Sequence, residues 1–351
     1  MLEIQDSKDT YVQLSKPFFT LDEISVIEKH NPDLLQNIRN CKLKFKETFQ
    51  IIINLCVKLN IPIKILQNTS YFYQKFYLLN NNYKKYSNLH FEIGIASLFM
   101  ALKLNDYIKK INIVVAEAYQ LKGIHLSSSD IDENKKIIVS LERKILEFQS
   151  FDFRNFLSEE FLIKYLKSFN DNESSQDHWK KRFSYLSWSV LNDLYLTPLV
   201  LQFPAHYNAI ASIKCLDLII SELEKAKLIN IAEDGRENFD YSELINAKNN
   251  TAILSGCNQL LEYYIDNLST TFLKRSLVEL NYEIEDKKHI DILINIKIEI
   301  NSKLKKDSSI DTSSLESDLF FQPRNTEIAK NGSIRFMYNK ERFSDEVKLY
   351  K

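Results

Sequence analysis

The sequence predicts an all-α protein of two tandem five-helix sets, with an N-terminal helix ahead of them and an extended segment behind. Three observations predict this. Breakers are few: 5 Gly and 6 Pro among 351 residues, too few for the many turns of a sandwich, a barrel or a Rossmann sheet. Apolar residues recur at steps of three and four through most of the chain, the period of a helix with one buried face. Two stretches are small or apolar on nearly every side: Ile93-Gly94-Ile95-Ala96-Ser97-Leu98-Phe99-Met100-Ala101, and a second containing Ala205, Ala209, Ile210, Ala211, Ile213, Cys215 and Leu216. A helix without a polar face must be surrounded by other helices, so each stretch marks the centre of a set. A hydrophobic content of 44% and an aromatic content of 12% supply real cores, where a disordered chain would be much poorer.

Residues 1–43 read as an arm and one helix. Ser15-Lys16-Pro17-Phe18-Phe19 precedes Thr20, an N-cap candidate, and Leu21, Ile24 and Ile27 share one face. So short a segment has no core of its own and should dock on the adjoining domain. The first set spans 44–155. Its helices are expected at 44–59 (Phe45, Phe49, Ile52, Ile53 and Cys56 inward), 63–79 (Ile65, Leu66, Thr69, Phe72, Tyr73 and Phe76 inward), 89–104, 111–121 and 132–147. Asn60-Ile61-Pro62, Asn80-Asn81-Asn82 and Asn105-Asp106 separate them. The second set spans 156–304, with helices at 158–169, 178–196, from Phe203-Pro204 to 222, 253–268 and 287–304, and polar stretches at 171–176 and 233–250. Ile95-Ala96-Ser97 and Ile210-Ala211-Ser212 are identical tripeptides inside the two central helices, which suggests a duplication with a period of roughly 115 residues. Residues 305–351 form a linker and a C-terminal extended segment. The stretch 305–318 is rich in Ser and charge, and Leu319-Phe320-Phe321 and Ile334-Arg335-Phe336-Met337-Tyr338 then flank Asn331-Gly332, the pattern of a short β-hairpin.

Charge and motifs exclude several function classes. The formal net charge is -1, from 46 basic and 47 acidic residues, without the basic excess of a nucleic-acid binder. Cys41, Cys56, Cys215 and Cys257 show no CxxC spacing and no His pairing suited to zinc. They read as buried free thiols in a reducing compartment, and no metal is expected. The N-terminus is too polar for a signal peptide, and no apolar run is long enough for a membrane span. The 6 His are scattered, with no HExxH and no catalytic order. Neither GxxxxGK[ST] nor GxGxxG occurs, so the chain lacks a phosphate cradle and no cofactor is expected. Phe72, Tyr73, Phe76 and Tyr77 lie at helical spacing and read as core or interface rather than base-stacking rings.

The residues carry a family resemblance. Tyr71-Phe72-Tyr73-Gln74-Lys75-Phe76-Tyr77 resembles the aromatic second helix of transcription-type cyclins. Ala96-Ser97-Leu98-Phe99-Met100-Ala101-Leu102-Lys103 resembles their third helix, which ends in a lysine. Glu142-Arg143-Lys144-Ile145-Leu146 followed by Phe151-Asp152-Phe153 resembles their fifth. The match covers 45–155 well and 158–270 more loosely. The chain is also similar to the cyclin-like beta subunits of fungal CTD kinase I, through Ser15 to Phe18, Tyr71 to Asn80, Pro204-Ala205-His206 and the extended segment from Leu319 to Tyr338. The cyclin of the related Bur-type elongation kinase is a rival reading, and a TFIIB-like nucleic-acid-binding factor with two cyclin-like repeats is another.

The resemblance implies two cyclin boxes and a non-catalytic regulatory subunit of a nuclear kinase. Its partners would be a cyclin-dependent kinase catalytic subunit and a third, small subunit. The complex would phosphorylate the heptad-repeat tail of RNA polymerase II and promote transcription elongation. It further implies that Lys103 and Glu142 hold the kinase's regulatory helix through its unpaired backbone ends. Leu104-Asn105-Asp106 departs from the acidic residues many cyclins carry after that lysine, and Leu218 stands where the duplication places its counterpart. The second box therefore lacks the grip. Calorimetry of the isolated chain should detect no saturable ATP binding; a saturable isotherm would contradict the missing phosphate cradle.

Overall fold

The computed structural model describes residues 18–29, 31–80, 82–149, 151, 153, 157–168, 178–229 and 247–307. Among these residues every regular element is helical, and no strand occurs. The expected hairpin, the linker after Asp307, the polar loop 171–176, residues 230–246 and Ser15 to Pro17 all lie outside them.

The N-terminal part docks as expected. Helix α1 (Leu21–Lys29) opens on Thr20. The Thr20 N–H donates to Glu23 Oε2 at 2.9 Å, and the Glu23 N–H donates to Thr20 Oγ1 at 3.2 Å. This reciprocal capping box satisfies two orphan donors. Phe18 and Phe19 are buried, and the Phe19 N–H reaches the Leu201 carbonyl at 2.6 Å. Helix α2 (Pro32–Gln36) is capped by Asn31, whose Nδ2 also donates to the Asn80 carbonyl. Residues 18–36 thus touch both halves of the chain.

The first set comprises α3 (Ile38–Lys58), α4 (Ile63–Leu79), the one-turn α5 (Tyr83–Tyr86), α6 (His90–Leu104), α7 (Ile111–Leu121) and α8 (Ser128–Phe148). Helix α6 is the axis and packs against α3, α4, α7 and α8. Its small residues make this possible. A Cβ on Gly94 would stand 2.5 Å from Thr48 Cγ2 and 2.9 Å from Ile52 Cδ1, so any side chain there would push α3 away. Helix α3 begins at Ile38, ahead of the expected 44; Arg39 to Lys44 is largely polar and exposed, so no apolar period marks these first turns. Helix α5 has no counterpart among the expected helices: the Asn82 side chain caps it, accepting from the Lys85 N–H, and Tyr83 and Tyr86 bury their rings. Helix α8 starts at Ser128 rather than 132, since Ser127 and Asp130 form a capping box.

In the second set, α12 (Ala205–Lys225) packs against α9 (Ser158–Ser168), α10 (His178–Leu194) and α13 (Ala247–Asn267). Gly256 on α13 faces Ala211, with 3.3 Å left for an added Cβ. Ile95-Ala96-Ser97 and Ile210-Ala211-Ser212 are all buried, each in the middle of a central helix. The short α11 (Leu199–Gln202) contacts α4. A 3-10 turn (Leu268–Thr270) leads into α14 (Phe272–Glu279), and α15 (Asp286–Asp307) follows, reaching past the expected end at 304. Periodicity does not announce α14. Its N-terminus is fixed from another helix: buried Asp193 on α10 accepts from the Phe272 and Leu273 N–H groups at 2.8 and 2.9 Å and from the Tyr264 hydroxyl at 3.2 Å. A polar seam joins the sets. Gln67 Nε2 donates to Asn192 Oδ1 and Glu159 Oε1 at 2.9 and 2.8 Å, and the Ser70 hydroxyl donates to the Tyr195 carbonyl at 2.5 Å.

All four cysteines are free, and Cys56, Cys215 and Cys257 are buried. Burial pushes the Cys56 thiol up to about 12, away from reactive thiolate character. No metal-holding group of three His, Cys, Asp or Glu occurs among the described residues. No helix among them is long and apolar enough to cross a membrane.

His90, at the start of α6, sits in a cage of tyrosines. The Tyr73 hydroxyl is 2.6 Å from Nδ1, and the Tyr77 ring stacks on the imidazole at 4.4 Å. Burial, and secondarily the Lys44 charge, push its pKa from 6.5 to about 4, against a smaller opposite pull from Glu47. Within that window the unfolded chain binds a proton that the folded imidazole refuses, so this contribution to stability is present above about 6.5 and is lost as pH falls through about 4. Proton NMR of the folded chain should show one imidazole titrating near 4, identified by its disappearance in His90→Gln. Titration near 6.5 would refute the buried neutral ring.

Candidate functional site

Lys103 stands in the last turn of α6, and Glu142 two-thirds of the way along α8. The two helices meet because Ile138, Leu141 and Ile145 bury one stripe of α8. The structure brings Lys103 and Glu142 into direct contact. Lys103 Nζ donates to Glu142 Oε1 at 2.8 Å and Oε2 at 3.0 Å, and it lies 4.4 Å from the centre of the Phe99 ring. The partners differ in exposure: the Lys103 side chain is 54% exposed and that of Glu142 only 10%. Glu142 is therefore the floor of the site rather than a solvated charge, and the lysine is a lid over it with donor capacity directed to solvent.

Apolar side chains flank Glu142 along α8 and continue past the end of that helix. Val139 and Leu146 are half-buried at three and four residues from Glu142, on the same face of α8. Just past the helix, the Phe151 N–H returns to the Leu146 carbonyl at 3.0 Å. Phe151 adopts φ 56°, a left-handed conformation unfavourable for a bulky residue. Its ring is 61% exposed and meets Phe153 edge-on at 6.5 Å. Leu104 is exposed beside Lys103. In the sequence, Phe151 and Phe153 serve as pattern residues of the resemblance and are not assigned to the site. Their signal is two aromatics beyond the last helical period, with no buried stripe to join.

Other sequence candidates resolve differently. Phe72, Tyr73, Phe76 and Tyr77 are all buried in the first core, which leaves no ring face for a base. Pro204 caps α12, and His206 rests against the Phe161 and Tyr207 rings at 5.9 and 4.7 Å. Leu218 is half-buried against the second core. About one period beyond Glu142, near 115 residues on, stands Cys257, fully buried on α13.

Solved structures include one of the same architecture: a chain of the yeast RNA polymerase II CTD kinase CTDK-1 complex matches with a TM-score of 0.61 and 20% identity, over 95% of this chain and 98% of that one. At that identity the match shows the fold alone. In sequence, the chain is 27% identical over 239 residues to the CTD kinase subunit beta of Saccharomyces cerevisiae, covering 66% of this chain and 70% of that protein. It is 28% identical over 210 residues to the Schizosaccharomyces pombe CTD kinase subunit beta, covering 58% of each. The chain is similar to CTD kinase beta subunits. It also shares 23% identity over 166 residues with human Cyclin-K, across 47% of this chain and 27% of that protein. No family model matches. The fold is the expected all-α one.

The pair's burial makes its loss unequal. Lys103→Ala strands a carboxylate that is only 10% exposed, whereas Glu142→Gln leaves a neutral amide under an exposed ammonium. An exposed pair contributes about 0–1 kcal/mol and a broken buried one costs about 3–5 kcal/mol. Chemical denaturation should place Lys103→Ala between these limits, about 1–2 kcal/mol below wild type, with Glu142→Gln closer to wild type. Equal losses would mean the carboxylate is better solvated than its burial indicates.

Proposed function

We propose that the chain is the cyclin-like regulatory subunit of a cyclin-dependent kinase that phosphorylates the C-terminal heptad repeats of RNA polymerase II and promotes transcription elongation. One observation carries the mechanism: a hydrogen-bonded Lys103–Glu142 pair set in an apolar face between α6 and α8. A partner helix laid on that face would bury Val139, Leu146, Leu104 and the Phe151 and Phe153 rings. Since the two charged groups are 2.8 Å apart, both would act at the same end of the partner helix: the Glu142 carboxylate would accept from N–H groups left unpaired there, and the Lys103 ammonium would donate to a backbone carbonyl beside them. Binding of this kind favours the inward position of the kinase's regulatory helix, which completes the kinase's own Lys–Glu pair and orients ATP. The chain contributes binding free energy and the kinase does the chemistry.

The names of the relatives support this reading, since they are subunits of a CTD kinase and a cyclin. On the same reading the chain divides into an arm at 1–43, boxes at 44–155 and 156–304 and a tail at 305–351. A third, small subunit joins the complex, and the complex works in the nucleus.

The test uses the full chain with its kinase catalytic subunit. Lys103→Ala and Glu142→Ala should each weaken binding by roughly ten- to a hundredfold, the loss of one or more hydrogen bonds to a charged group, and should lower phosphorylation of a heptad-repeat peptide. The double variant should lose less than the sum, because each side chain already holds the other. Lys167→Ala on the exposed face of α9 is the control. Lys122, also expected to be neutral, is less suitable, since its Nζ lies 4.4 Å from the centre of the Phe91 ring. Wild-type kinase affinity in both single variants, with unchanged helicity, would overturn the assignment of the pair.

A further inference from the structure

Helix α15 is apolar on more than the face it buries. Every second residue from Ile290 to Ile300 is isoleucine. An alternating repeat wound into a helix places apolar side chains on both sides of it. Leu293, Ile296 and Ile300 are buried on the side that packs against α12 and α13. Ile294 and Ile298, one turn apart, project from the other side and are 38% and 62% exposed. A polar outer face is the rule for a helix that covers a core from outside, and a helix apolar on both sides belongs under a second layer.

The size of the patch and the chain beside it select the occupant. Two partly exposed isoleucines offer far less than the roughly 1,000 Å² that a stable contact between separate chains buries. A tethered segment needs much less, because attachment supplies an effective concentration in the millimolar range. Such a segment follows directly: residues 308–318 lead from α15 to Leu319-Phe320-Phe321. Ile298 and Ile294 stand nine and thirteen residues before Asp307, about 14 and 20 Å back along the helix. The connection reaches at most about 36 Å, and a coil of its length has a root-mean-square span of roughly 17–20 Å. A tether works best when its span matches the distance to be bridged. Charge agrees. The connection carries Asp311, Glu316 and Asp318, with no Lys or Arg between Lys306 and Arg324, and the end of α15 carries Lys303, Lys305 and Lys306. An acidic connection doubling back along those lysines is attracted to them. We infer that the C-terminal segment is an internal ligand of the second set: the chain turns back after Asp307 and lays Leu319, Phe320 and Phe321 on Ile294 and Ile298. The helix that covers α12 and α13 is then itself held down by the tail. This inference is independent of the kinase-binding reading.

The experiment uses the full chain. Ile298→Cys combined with Phe321→Cys is oxidised with diamide, and the products are read by non-reducing gel and peptide mass spectrometry. The expected product is a disulfide between these two positions within one chain. Ile163→Cys, at an exposed position on α9, combined with Phe321→Cys, should give far less. A covalent dimer would assign the patch to a second copy, and equal linkage from Ile163 would mean that the tail has no preferred seat. Either result overturns the inference, as does the absence of any linkage. Thermal denaturation is a second readout that needs no added thiols. Ile298→Gln should lower Tm by about 2–4 °C, and Phe320→Ala with Phe321→Ala by a similar amount. All three substitutions together should lower it by no more than either set alone, since both remove the same contact. Additive losses, or tail variants that melt like wild type, would refute the docking of the tail on α15.

Discussion

Everything in the first half of the molecule is placed relative to α6, and α6 holds its place through close approach. Gly94 leaves room for Thr48 and Ile52 of α3 where even one methyl group would collide. Ala96, Ser97 and Ala101 are likewise fully buried. A helix buried this completely has no freedom to tilt or slide, because interiors at crystal-like density do not deform continuously. The four neighbours are therefore fixed in angle and register by one helix, and the position where α6 leaves the core is fixed as well. That position is Lys103.

The Lys103–Glu142 pair depends on this geometry. Glu142 is almost dry because α8 is drawn against α6 by Ile138, Leu141 and Ile145, and a carboxylate in that setting requires a cation. Lys103 supplies it from the last turn of α6, with the Phe99 ring beneath its ammonium. Such a pair adds little stability in itself, since desolvation offsets most of the attraction. What it provides is a prepositioned donor and acceptor set in an apolar face. A further cost sits at Phe151, where the backbone holds a left-handed conformation and the aromatic ring points into solvent. Both features disfavour the isolated chain slightly.

Much of this is readable from the residues, because periodicity reports burial directly. The helices at 63–79 and 111–121 fall where the sequence places them, and the two all-apolar stretches are the buried axes. The Lys103 and Glu142 positions come from a family pattern; spacing alone would not join residues 39 apart. The elements that escape are set by contacts distant in sequence or by polar capping. Helix α5 is four residues long, too short to show a period. Helix α14 is held by Asp193 on α10, 79 residues earlier. The first turn of α8 rests on Ser127 and Asp130 rather than on apolar residues. The depth of Glu142 is also hidden, since a charged residue between Leu141 and Arg143 reads as surface until α6 is laid across it.

The second set covers its own central helix differently. Cys257 packs so closely on α12 that its thiol lies 3.6 Å from the Ala211 carbonyl. The apolar side chains there need a cover, and the chain supplies one itself. Helix α15 packs against both α12 and α13, burying Leu293, Ile296 and Ile300, with Lys297 reaching Glu262 of α13 at 3.4 Å. The α12–α13 groove is thus filled by a helix of the same chain. The charge pair between α6 and α8 instead meets solvent on its lysine side, where the Lys103 side chain is 54% exposed over a carboxylate that is only 10% exposed.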